Sequence, residues 1–269
     1  MNKIDQAAAE LREMDDLAAM SSPVHSLHPL TKLFLTVFFI FVTVSFHKYD
    51  LSGLMIMVLY PVLMFQISGV PVRTCFYKLR IVLPLVMAVG ILNPFFDRET
   101  MLMIGNVPVS GGVISMVTLM LKGVFCLMAS FILAATTPIE AICAALRKLY
   151  IPSMIVTLLL LTYRYVSVMI DEVSVMTTAY ELRAPGQRGV HYKAWGSFLG
   201  QLLLRSMDRA EDLYASMQLR GFAGEFYYAD VATMRAADLI VMVIAASVFI
   251  LFRFTDPVTM LGTLVTGGR

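Results

Sequence analysis

The sequence predicts an all-α membrane protein with about five transmembrane helices and three further cytoplasmic or interfacial helices. Three observations predict it. The 269 residues are 58% hydrophobic and only 15% charged, whereas soluble domains run at ~45–50% and ~25%. Mean hydropathy is +0.76. Apolar runs that reach or approach membrane-spanning length recur along the chain, a span needing ~20 apolar residues, or ~17 where the bilayer thins. A disordered chain is excluded, and a water-soluble enzyme is disfavoured. The net charge of +2 gives no sign of nucleic-acid binding. Cys75, Cys126 and Cys143 lie far apart and form no CxxC pair, so neither a disulfide framework nor a zinc site is expected. The 20 methionines suit helix interfaces that slide or re-pack.

Residues 1–32 form an N-terminal surface segment. Asp5, Glu10, Glu13, Asp15 and Asp16 precede any apolar run, which is unlike a secretory signal. Ile4, Ala8, Leu11 and Ala18 fit one face of a short surface helix as well as they fit a frayed tail. Four spans then occupy residues 33–135, at 33–46, 51–72, 81–96 and 111–135. A last span covers 236–254, ahead of a tail at 255–269.

Basic residues in short loops orient such a chain. With Lys32 inside, loop 47–50 is outside, and Arg73, Lys78 and Arg80 fall inside. Loop 97–110 lies outside, and the fourth span returns to Arg147 and Lys148 in the cytoplasm. A sixth apolar run, 152–170, would expose Arg183, Arg188, Lys193, Arg205, Arg209, Arg220 and Arg235 on the outer side if it crossed. It also contains Arg164, and a charge at mid-bilayer costs ~2.5–3.5 kcal/mol. The expectation is therefore that 152–170 is buried against other helices on the cytoplasmic side, within a coupling-helix region at 136–235. Lys122, inside the fourth span, reads either as a polar contact in the bundle interior or as a structural, snorkelling lysine.

Three helices are expected in that region. The first starts at Pro138, after Thr136 and Thr137, and ends near Leu149. The second runs from Pro152 to Arg183. Its seam is Ile155, Leu159, Thr162, Val166, Met169, Val173, Met176 and Tyr180, at alternating spacings of four and three. Ala184-Pro185-Gly186 stops it. The third runs from about Tyr192 to Arg220, with the seam Leu199, Leu203, Ser206, Ala210, Leu213 and Met217. Gly221 follows as a left-handed cap. Arg205–Asp208 and Arg209–Asp212 stand at helical pairing distance.

The two ends match each other. Tyr180-Glu181-Leu182-Arg183-Ala184 and Met217-Gln218-Leu219-Arg220-Gly221 share a pattern of bulky, Glu or Gln, Leu, Arg, small. A single arginine there would merely complement the helix dipole. Two in the same seam phase with the same flanks point to docking tips. Helices of ~48 Å and ~43 Å that fold back on each other place the tips tens of Å apart, at about 1.5 Å per residue. One catalytic site cannot use both arginines, whereas two docking sites on a dimeric partner can.

At these residues the chain resembles the transmembrane T component of energy-coupling-factor (ECF) transporters for vitamins and metals. That family carries two coupling helices, each ending in an Ala-Arg-Gly-like motif. Here the counterparts are Leu182-Arg183-Ala184 and Leu219-Arg220-Gly221, so both arginines match, Gly matches once, and Leu replaces the leading Ala. Other similar stretches are Ser22 to Pro29 with Lys32-Leu33, Thr136-Thr137-Pro138 with Glu140, Ile151-Pro152, Tyr163-Arg164-Tyr165 and Asp171-Glu172.

The resemblance implies an L-shaped scaffold in a bacterial or archaeal cell membrane. It implies as partners a small substrate-binding S component and two ATP-binding-cassette ATPase subunits. ATP and magnesium would sit on those subunits, with no cofactor bound by this chain and no catalytic or metal residues. Arg183 and Arg220 would pair with acidic residues in ATPase grooves, and the S component would select a micronutrient, with a lean toward cobalt or nickel over a vitamin. The chain has no GxxxxGK[ST] phosphate loop of its own.

Two other function classes remain open: a membrane-embedded enzyme using Arg164, Asp171 and Glu172, and a conventional ABC permease half with its own substrate path. Arg164 and Asp171 share a helix face and read more simply as a packing brace. His25 and His28 have a metal-like spacing but no third ligand nearby, so a structural turn is expected. Asp208, Glu211 and Asp212, interleaved with Arg205 and Arg209, read as a solvated salt-bridge face.

Overall fold

The computed structural model describes residues 3–96, 100–104, 107–183, 189–222, 224 and 234–254. The helices, in chain order, begin with α1 (Lys3–Ala18), α2 (Pro29–Ser45), α3 (Leu51–Ile56), α4 (Leu59–Ser68) and α5 (Val72–Phe96). An antiparallel hairpin follows, β1 (Thr100–Ile104) with β2 (Val107–Ser110), in which Ile104 faces Val107 and Thr100 faces Ser110. After it come α6 (Gly111–Thr136), α7 (Ile139–Lys148), α8 (Ser153–Arg183), α9 (Trp195–Leu219) and α10 (Ala236–Phe254). Two compact units result. One holds Leu17–Pro138 and Ala232–Arg269, the other Met1–Asp16 and Ile139–Val231.

The first unit is an apolar helical bundle. Its core gathers Phe39 of α2, Leu54 and Met57 around α3, Phe125 and Ala129 of α6, and Phe249 of α10. Phe39, Tyr60 and Phe249 meet one another with ring centroids 4.5–5.5 Å apart. Such tilted and edge-on pairs add ~0.5–1.5 kcal/mol each beyond area burial.

Polar ties fix the helix directions. At one end the Lys32 ammonium donates to the Thr136 carbonyl at 2.7 Å and to the His25 carbonyl at 3.3 Å. There Asp238 of α10 accepts from the His28 and Arg235 backbone N–H groups. At the other end Lys122 donates to the carbonyls of Val44 and Phe46, and Arg253 donates to Ser45 at 3.2 Å. So α2 and α10 run parallel, and α6 runs against them. This is the order required if the first and last spans leave the cytoplasm and the fourth returns to it. Lys122 is a structural lysine that closes the C-terminal carbonyls of α2, where the helix has no partners of its own.

Proline breaks two spans. Pro61 has no N–H for the Met57 carbonyl, and the chain breaks there between α3 and α4. Pro84 stands four residues after Arg80, and α5 bends by 51° between Val72–Arg80 and Val82–Ile91. The span expected at 81–96 therefore begins earlier, as a helix from Val72. By length and composition, Leu51–Ser68, Gly111–Thr136, Ser153–Arg183 and Ala236–Phe254 can each cross a membrane, and the bent pair makes up to five; Pro29–Ser45 is a shorter apolar helix. An all-α membrane protein is the result, with one small hairpin added inside the expected loop 97–110.

In the second unit α7 packs on α8, with Cys143, Ala144 and Ala145 buried on one side and Val156 and Thr157 on the other. Burial raises the Cys143 thiol pKa above its ordinary value, and Glu140 adds to the shift. α1 is a formed helix rather than a frayed tail, and the Tyr163 hydroxyl of α8 donates to Asp15.

One expectation is corrected here. Residues 152–170 are not buried against the chain's other helices: Met154, Ile155, Leu158 and Leu159 are exposed. The run is apolar on several faces, and within it only Val156 and Thr157 are buried.

Candidate functional site: the paired ends of α8 and α9

The geometry of this unit centres on one cross-helix tie. Arg205 of α9 pairs with Glu172 of α8. Both sit beside seam positions, Glu172 next to Val173 and Arg205 next to Ser206. Opposite charges flanking two facing apolar seams are the sequence signal that identifies such a tie. It also corrects the expected pairing of Arg205 with Asp208 along α9, because the carboxylate across the seam captures the guanidinium.

The helices flank an open groove of about 980 Å³. From the Glu172–Arg205 tie its lining extends back along α8 to Leu161 and forward along α9 to Arg220, Gly221 and Phe222. The helices therefore run antiparallel. From the tie, Arg183 lies about 16 Å along α8 one way and Arg220 about 22 Å along α9 the other way, at ~1.5 Å per residue. Of the seam residues, Met169, Val173, Met176, Tyr180, Ser206, Leu213 and Met217 are half-buried, and Ala210 is exposed. The Tyr180 hydroxyl accepts from the His191 N–H at 3.3 Å, fastening the connection between the helices.

The end of α9 is closed by backbone alone. Gly221 N–H donates to Gln218 at 2.9 Å and Phe222 N–H to Met217 at 3.0 Å, while Gly221 takes φ +80°. This is the Schellman arrangement, which satisfies orphan carbonyls and needs a residue tolerant of left-handed geometry. Arg220 is thereby held at the cap with its side chain in solvent. Leu219 beside it is 90% exposed, and Leu182 beside Arg183 is 79% exposed. Among the described residues neither Arg183 nor Arg220 makes an ion pair or side-chain hydrogen bond. Among the described residues each tip is thus an exposed leucine–arginine pair. Ala184 of the first motif lies outside the described residues.

Of the residues of the enzyme alternative, Arg164 and Glu172 line one groove and Asp171 does not. Glu172 is tied to Arg205, Arg164 faces the α8–α9 groove, and Asp171 faces a separate hollow lined by Ala8, Arg12 and Asp16 of α1. Arg164 and Asp171, expected as a packing brace, line two separate hollows, one beside α9 and one beside α1. His25 hydrogen-bonds Ser22 and the Leu17 carbonyl, and His28 caps α2 by accepting from the Leu30 N–H. Asp208 and Asp212 line the groove among Arg205 and Arg209. Among the described residues no three His, Cys, Asp or Glu side chains are grouped to hold a metal ion, and all three cysteines are free thiols.

Apolar helices of spanning length and their cross-bundle polar ties define a multi-pass cell-membrane protein. The chain belongs to the CbiQ family of cobalt transport proteins, whose sequence profile matches residues 20–228. It is similar to the energy-coupling factor transporter transmembrane protein EcfT of Limosilactobacillus fermentum, 25% identical over 226 residues, or 76% of this chain and 81% of that protein. It is also similar to the cobalt transport protein CbiQ of Rhodobacter capsulatus, 33% identical over 94 residues, 35% of this chain and 38% of that one. The nickel permease LarQ of Lactiplantibacillus plantarum is 29% identical over 119 residues, 44% of each chain. The family is one of transporter membrane components, not of catalytic enzymes.

Proposed function

We propose that this chain is the energy-coupling scaffold of an ECF-type importer for a micronutrient, with cobalt or nickel ion favoured over a vitamin. Its α8 and α9 tips dock in grooves of two ATP-binding-cassette subunits, which hold the ATP and magnesium. A small membrane S component binds the substrate and is reoriented when the ATPases close. The observation that carries this reading is the pair of tips: two exposed leucine–arginine ends, without partners among the described residues, on antiparallel helices tied at Glu172 and Arg205. Two exposed cations some tens of Å apart suit two equivalent acidic sites on a dimer. Hydrogen-bonded charge pairs that become buried on docking cost about 2–5 kcal/mol when truncated. The metal lean rests on the names of the cobalt and nickel relatives.

The test is the double variant Arg183→Glu, Arg220→Glu, assayed in vesicles for ATP hydrolysis and for cobalt or nickel uptake. Loss of uptake, with hydrolysis uncoupled or subunits dissociated, is expected. Uptake at the wild-type rate refutes the proposal. Acidic-to-basic changes in the ATPase grooves should restore function to the double variant.

A further inference from the structure

We propose that the elbow joining α7 to α8 is an interfacial anchor that seats Tyr150 among anionic lipid headgroups, in the leaflet at which α6 ends. The inference does not depend on the coupling role of the tips.

The argument begins with backbone geometry. α7 ends as α9 does: Tyr150 N–H donates to Arg147 at 3.1 Å and Ile151 N–H to Leu146 at 3.4 Å. The residue in the left-handed position is Gly221 in α9 but Tyr150 in α7, at φ +61°. Tyrosine is strained there and glycine is not. Among the described residues the ring makes no contact that offsets that strain. It is 98% exposed and makes no hydrogen bond or ring contact among the described residues. A strained and fully exposed side chain without contacts among the described residues is free to meet a surface outside the chain.

The surroundings state the chemistry of the partner. Arg147 and Lys148 immediately precede the elbow, and Leu149 is half exposed. Met154, Ile155 and Leu158 project from the first turns of α8, all exposed. Between Glu140 and Asp171 there is no carboxylate, only the cations Arg147, Lys148 and Arg164. Tyrosine prefers the headgroup level, lysine and arginine are drawn to anionic leaflets, and the aliphatic side chains suit the acyl boundary below. The elbow follows the end of the spanning helix α6 by thirteen residues, ten of them in α7, a helix about 15 Å long. The bilayer surface is within that reach.

The test uses full-length protein in nanodiscs of phosphatidylcholine, alone or with one third phosphatidylglycerol. A nitroxide is placed by Tyr150→Cys, with Cys75, Cys126 and Cys143 replaced by alanine. Its collision rates with oxygen and with a water-soluble nickel chelate report depth. The expected result is an oxygen-dominated, interfacial signal that strengthens with phosphatidylglycerol. Adding Arg147→Gln and Lys148→Gln should lower the seated-to-unseated ratio by up to about thirtyfold, the limit set by two cations at about 1 kcal/mol each. In detergent without lipid, where no seat is available, Tyr150→Gly should leave thermal stability equal or higher, because it relieves the backbone. Three results overturn the proposal: chelate access as free as at a solvent site, shielding indifferent to phosphatidylglycerol and equal in detergent with partner subunits bound (protein cover), or a loss of stability of Tyr150→Gly in lipid-free detergent.

Discussion

Gly221→Ala isolates the contribution of the α9 tip. An added Cβ meets no atom within 4 Å, so no neighbour resists it; the penalty arises in the backbone, at φ +80°. Holding an L-residue left-handed costs about 1–2 kcal/mol. Escaping that strain means giving up the Gly221–Gln218 and Phe222–Met217 hydrogen bonds, each worth about 0.5–1.5 kcal/mol. Both routes converge on about 1–2 kcal/mol, so opening of the last turn should become about five to thirty times more frequent, at about 1.4 kcal/mol per tenfold. Amide hydrogen exchange over residues 217–222 reads this directly in the purified chain. Exchange should accelerate by that factor there and stay unchanged at the tip of α8. Wild-type exchange in Gly221→Ala would refute the reasoning, because it would mean that the left-handed cap does not hold Arg220.

Three other outcomes follow from the geometry. A double-mutant cycle of Glu172→Ala and Arg205→Ala should give a coupling of about 0.2–1 kcal/mol in thermal unfolding, since the side chains are 18% and 45% exposed and solvent screens the pair; the swap Glu172→Arg, Arg205→Glu should recover most of it. Tyr163→Phe removes the hydroxyl donated to Asp15, worth about 1.5–3 kcal/mol with a charged acceptor before discounting for exposure, and limited trypsin digestion at Arg12 should speed up. Cys143 is buried and its thiol pKa is raised by desolvation and Glu140. It should therefore stay protonated and resist maleimide at about pH 8.5, where an ordinary thiol is half ionised, and should react at the rate of an exposed thiol only after unfolding.

Periodicity made the helices of the second unit legible. The alternating spacing of four and three, with Pro152 before and Gly221 after, marked α8 and α9 almost to the residue. The breaks within spans were less visible, because Pro61 and Pro84 act four residues upstream, within runs that are uniformly apolar. The Glu172–Arg205 tie was hidden by its sequence distance: Arg205 has Asp208 nearby on its own helix, and only the antiparallel fold-back brings Glu172 closer. Exposure along 152–170 was misjudged because apolar composition does not say whether the covering surface belongs to the same chain. Tyr150 gave no sequence signal at all; a left-handed tyrosine is visible only in the backbone.

Photocrosslinking at the tips tests the coupling account most directly. A photoreactive amino acid replaces Leu182 or Leu219, and membranes containing the natural complex are irradiated with and without ATP. The account predicts that both positions capture nucleotide-hydrolysing subunits, one at each tip. Capture of lipid alone, or of no hydrolase from either position, would contradict it.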